Sequence, residues 1–127
     1  MKTIESPIKL AEPINQLSLF GYENYFNLLK NLYDTKKLPN CILFTGPKGI
    51  GKATFAYHFI NLILSRGKDD EYSLKDFKIN PDGYTYKKIT SNTHPNFYQI
   101  YNTIENEEIK IEKVRNLLNF LNKSTYS

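Results

Sequence analysis

One cysteine and two histidines among 127 residues leave little room for several common chemistries. A lone Cys41 excludes an internal disulfide and any multi-cysteine zinc centre, and its place in an apolar run reads as that of a small buried hydrophobe. It suits a reducing, cytosolic setting. No window approaches the roughly 18 uncharged apolar residues of a membrane span, and the N-terminal MKTIESPIKLAEPINQ holds no long apolar stretch. A soluble, unexported, cytoplasmic protein without a membrane partner is expected. Charge of one sign is scarce as well. Seventeen Lys and Arg stand against thirteen Asp and Glu, spread along the chain, and a net charge of +4 is too mild a bias to identify a nucleic-acid surface. Internal repeats and low-complexity tracts are absent.

What is present suffices for one domain: 40% of the residues are hydrophobic and 14% aromatic. Residues 1–20, with Pro7, Pro13 and scattered apolar side chains, read as an extended arm lying on the body of a domain spanning 21–127. Tyr25, Phe26, Leu28, Leu29, Leu32 and Tyr33 recur at helical spacing, between Gly21 and Lys36-Lys37-Leu38-Pro39. Cys41 to Thr45 is an uninterrupted apolar run, the pattern of a strand covered on both faces in a parallel sheet. A second helix is expected from about Lys52 to Ser65, ending at Arg66-Gly67. Residues 66–93 form a polar excursion with a turn at Asn80-Pro81-Asp82-Gly83 and little core of its own. Asn96 to Tyr101 alternates and is β-rich, a second strand candidate. Ile111, Val114, Leu117, Leu118 and Leu121 mark a final amphipathic helix that begins near Glu112 and fades at Asn122-Lys123-Ser124.

Between the first strand candidate and the second helix lies Gly46-Pro47-Lys48-Gly49-Ile50-Gly51-Lys52-Ala53-Thr54. A strand that stops at a glycine loop and re-enters as a helix points several backbone N–H groups, and the positive end of the helix dipole, at one small volume. Gly46, Gly49 and Gly51 permit the close approach that side chains would block, and Lys52 can reach the β- and γ-phosphates of a nucleotide. Lys48, on the loop itself, can add positive potential for the phosphates, and its blander reading is a solvated loop lysine. The residue after the lysine normally gives a hydroxyl to Mg²⁺, and here it is Ala53, which has no oxygen. Thr54 points about 100° further around the helix axis and does not replace it. Binding through backbone and Lys52 survives this departure; metal-dependent hydrolysis does not follow, and no apolar strand ending in an acidic pair occurs after residue 101.

Several segments together resemble the N-terminal part of the delta-prime subunits of bacterial DNA polymerase III clamp loaders, which belong to the AAA+ proteins. The resemblance spans roughly residues 17–121. Leu19-Phe20-Gly21-Tyr22-Glu23 is similar to the opening Leu-x-Gly-x-Glu, and Lys37-Leu38-Pro39-Asn40 to a basic Leu-Pro-His turn. GPKGIGKAT resembles the Gly-Pro-x-Gly-Ile-Gly-Lys-Ala-Thr form, its alanine included. His94-Pro95-Asn96-Phe97 is similar to a His-Pro-Asp step, with Asn96 in place of the acidic residue. Ile109-Lys110-Ile111-Glu112-Lys113-Val114-Arg115 resembles the start of the following helix, where Arg115 reads as a surface charge or one arm of a helix-side salt bridge. Residues 66–93 carry none of the four cysteines that many such subunits place around zinc. His58 and His94 alone cannot complete a tetrahedral zinc set, so no zinc is expected.

The resemblance implies an α/β fold: a partial P-loop AAA+ domain, a parallel sheet with flanking helices, truncated before the acidic metal-binding strand. It implies ATP at residues 46–54, at low occupancy or in degenerate form, with Mg²⁺ poorly served. It also implies the motor and delta subunits of the clamp loader as partners and, through them, the sliding clamp and primer-template DNA. The function implied is that of a structural subunit of a DNA polymerase holoenzyme, neither polymerising nor an autonomous ATPase. The competing reading from the loop alone is a fragment of an independent P-loop NTPase or kinase. A small DNA-binding module is a weaker third, lacking clustered arginines and an aromatic stacking strip.

Overall fold

The computed structural model describes residues 12–47, 49–100 and 111–124. Its elements are, in order, a 3₁₀ turn at Pro13–Asn15, α1 (Glu23–Asp34), α2 (Lys52–Ser65), α3 (Tyr84–Thr90) and α4 (Ile111–Ser124). Helices α1, α2 and α4 stand where the apolar periodicity puts them. The stop after α1 is made by the chain itself. Lys36 takes a left-handed conformation (φ 59°), its N–H donates to the Tyr33 carbonyl and the Lys37 N–H donates to the Leu32 carbonyl at 2.8 Å. This is the Schellman arrangement, here with lysine where glycine is usual. Thr35 Oγ1 adds a bond to the Asn31 carbonyl at 2.8 Å.

The expected parallel sheet is overturned: among the described residues there are four helices and no strand or sheet. Residues 41–46 carry no regular structure and lack a ladder, and Leu43 is 83% exposed and Ile42 37%. Residues 95 and 96 form a turn and 97–100 continue irregularly, while Tyr101 lies outside the described residues. An apolar run signals only a capacity for burial; a strand exists through its hydrogen-bonded neighbour. The fold is therefore not an α/β P-loop AAA+ domain but a helical assembly, joined by single antiparallel bridges from Ser18 and Ser73 to Lys78. Cys41 follows the same correction, being exposed where a covered strand residue was expected.

Phe26, on the inner face of α1, is the centre of the core and fully buried. The rings of Phe55 and Phe59 from α2 meet it edge-on at 5.8 and 6.0 Å, Tyr72 stacks on it at 5.3 Å, and Phe77 closes the cluster at 5.7 Å. Such ring pairs add to the area they remove from water. At the other end of the α1–α2 pair, the Asp34 carboxylate accepts from the Arg66 guanidinium and lies 3.2 Å from Lys30 Nζ.

The polar stretch 66–93 contributes more to this core than its composition suggests. Tyr72, Ile79, Thr85 and Ile89 are all buried. The turn between Ser73 and Lys78 is closed by reciprocal backbone bonds of 3.1 and 3.3 Å. Asp70 Oδ2 accepts the Thr85 N–H at 2.7 Å, satisfying an orphan donor of α3. Partial burial pushes the Asp70 carboxyl up, but the Thr85 amide and side chain, Asp70's own backbone amide and the Lys68 charge together outweigh it, so the group titrates below its ordinary value. Gly83 is required beside it, since a Cβ there would stand 2.4 Å from Asp70 Cβ. The arm docks on the same turn: the Leu19 N–H donates to the Phe77 carbonyl at 3.0 Å and the Ile79 N–H to the Leu17 carbonyl at 2.9 Å.

Candidate functional site

The glycine loop sits at the start of α2, beside the start of α1. Gly49 and Gly51 hold left-handed backbone angles (φ 88° and 96°), and the Gly51 carbonyl accepts the first helical bond, from the Phe55 N–H at 2.9 Å. No side chain caps the N-terminus of α2. Its first N–H groups thus retain the polarity that favours an anion. Lys52 Nζ turns back over the loop and donates to the Gly46 carbonyl at 2.6 Å. The Ile50 side chain folds over the same glycine, so close that a Cβ on Gly46 would meet its Cδ1 at 2.3 Å. The structure therefore brings Gly46, Ile50, Gly51 and Lys52 into one closed turn; Pro47 and Gly49 lie exposed on it, and Lys48 lies outside the described residues.

Ala53 and Thr54 are placed apart from that turn, in the first turn of α2. Ala53 is exposed and lines a separate hollow of about 300 Å³ with Pro13, Tyr57 and Gln99, while Thr54 is half-buried. Among the described residues no three His, Cys, Asp or Glu side chains gather into a metal-binding group. On its other side the loop opens into a cavity of about 430 Å³, lined by Tyr25, Leu28, Leu43, Phe44, Ile50 and Lys52 among others. Among the described residues lining it, Lys52 is the cation at this largely apolar surface.

Both histidines are buried and bonded within the fold. His58 Nε2 lies 2.8 Å from the Gln16 carbonyl and Nδ1 2.7 Å from the Tyr72 hydroxyl. A carbonyl only accepts, so Nε2 carries the hydrogen, and in the neutral ring Nδ1 accepts from the Tyr72 hydroxyl. Burial pushes His58 below the ordinary imidazole range, against the opposing pull of the Gln16 carbonyl, and burial raises the Tyr72 phenol. His94 Nδ1 accepts the Asn96 N–H at 3.1 Å, which puts the hydrogen on Nε2, a buried atom with no partner among the described residues. Burial again lowers this ring's pKa, assisted by Lys68 and Lys88 and opposed by Asp70.

Sequence reasoning missed Tyr22. Its hydroxyl donates to the Ile50 carbonyl in the middle of the loop, and its ring stands edge-on to Phe55 at 6.1 Å. The contact spans 28 positions and has no local sequence signal.

Compared with known families, residues 21–127 match the model described as "DNA polymerase III, delta subunit". No curated relative and no solved structure matches.

Proposed function

The chain belongs to the DNA polymerase III delta subunit family, and from that premise we propose that it acts as a delta-prime-type subunit of the clamp loader. The family is one of clamp-loader-type subunits in DNA replication, which associate with other subunits of the replication complex. Within it, the proposed role is structural: the chain joins the motor and delta subunits that place the sliding clamp on primed DNA. Residues 46–54 keep a cradle able to take the phosphates of ATP without turning it over.

The observation that carries the second half of this reading is the geometry at the start of α2. Uncapped helix N–H groups, Lys52 turned onto the Gly46 carbonyl, and a methyl group at Ala53 stand together. Backbone amides and a cation bind polyphosphate, whereas an alanine gives Mg²⁺ no ligand. ATP affinity is expected to be nearly the same with Mg²⁺ and with a chelator. Lys52→Ala should weaken it at least tenfold, a charged hydrogen bond being worth about 1.5–3 kcal/mol, with little change in melting temperature. Co-purification with clamp-loader subunits should survive that substitution. Mg²⁺-dependent turnover by the protein alone would replace this reading with that of an NTPase.

A further inference from the structure

We propose that Tyr22 is a positioning residue for the phosphate loop, fixing the peptide between Ile50 and Gly51 in the orientation that anion binding requires. The inference rests on the phosphate reading of residues 46–54 and adds to it a residue that lies outside the loop.

Tyr22 is anchored on three sides. Its carbonyl accepts the Phe26 N–H at 2.9 Å, which begins α1. Its ring packs edge-on against Phe55 in α2 at an interplanar angle of 86°. Its hydroxyl donates to the Ile50 carbonyl. A Cβ on Gly51 would lie 3.6 Å from Tyr22 Cε2, so ring and loop backbone are in direct register. Every peptide bond in the described chain is trans, and in a trans unit the C=O and the next N–H point opposite ways. Drawing the Ile50 oxygen toward Tyr22 therefore turns the Gly51 N–H away from it. Gly51 has no Cβ to resist rotation about its own backbone, and in the left-handed region (φ 96°) it has alternatives of similar energy. The hydroxyl selects one of them.

The clamp also links the loop to the cavity beside it, because Tyr22 and Ile50 both line that cavity. Whatever moves the Tyr22 ring changes the loop.

Tyr22→Phe removes the hydroxyl and keeps the ring on Phe55, so it separates positioning from packing. In the ligand-free protein the NMR order parameters of residues 49–52 should fall, with alternative orientations of the loop about fivefold more populated, the weight of one net hydrogen bond in an equilibrium constant. Affinity for ATP and for inorganic pyrophosphate should fall by a similar factor, with the melting temperature nearly unchanged. Tyr22→Ala should lose both affinity and thermal stability. Unchanged order parameters and unchanged affinity in Tyr22→Phe would overturn the clamp. Failure of the unsubstituted protein to bind either ligand would overturn the phosphate reading, and the ligand-free order parameters would still decide whether Tyr22 holds the loop.

Discussion

Phe26 and Leu43 are both large apolar side chains, and the molecule treats them in opposite ways. Phe26 is enclosed by four rings from α1's neighbours and the turn at 72–79, while Leu43 is 83% exposed on a segment without a ladder. The first region is tied by aromatic packing, an ion pair and buried hydrogen bonds. The second, residues 41–51, carries the glycine loop and is held chiefly by Tyr22, Phe44 on Phe55 at 5.3 Å, and Lys52 on Gly46. Stability thus resides in one region and the candidate chemistry in the other, a division that lets a binding loop rearrange without loosening its platform.

Three experiments bear on that division. Phe26→Ala should be the most damaging, costing about 3–5 kcal/mol by loss of burial and a residual cavity, measured by denaturant unfolding. A smaller loss should come with acid. His58 and His94 are held neutral with pKa values below the 6.5 of an unperturbed imidazole. The unfolded chain therefore binds more protons as pH falls below that value, and stability that is fully present above it is lost as pH falls toward the depressed native values. His58→Gln should flatten the slope without abolishing it, since His94 acts in the same direction; an unchanged slope would show that His58 carries no part of it. Leu43→Ser should have the least effect, within about 0.5 kcal/mol as for other exposed positions. A large destabilisation there would show that residues 41–45 are covered in solution, and the contrast with Phe26 would collapse.

What could be seen in the sequence follows the range of the forces concerned. The bounds of α2, those of α4 to within a residue, and the place of α1 between Gly21 and Lys36 are set by periodicity and by turns a few residues long, so they were legible. That no strand forms among the described residues was not, because Cys41 to Thr45 shows a continuous apolar run and Asn96 to Tyr101 a β-rich alternation, and pairing depends on residues far away. The stretch 66–93 hid its core in the same manner: Tyr72, Ile79 and Ile89 are spaced without a period, and each acquires meaning from α1, α2 or the arm. In the candidate site the glycines and Lys52 stood out as a local pattern. Tyr22, Asp70 and the bond from Tyr72 to His58 are pairings over 14 to 28 positions, and nothing near them in the chain announces the partner.

The docking of the arm has a consequence for the order of folding. Gln16, Leu17 and Leu19 find their partners at His58, Ile79 and Phe77, so the earliest described part of the chain is bonded to segments synthesised much later. Closing such loops costs more entropy than forming a helix turn, and it comes after local structure. During synthesis α1 can form alone and α2 can pair with it around Phe26, bringing His58 to the Gln16 carbonyl, yet Leu17 and Leu19 have no partners until Phe77 and Ile79 have left the ribosome. This stretch of the arm should be the last part of the core to close, and the first to open.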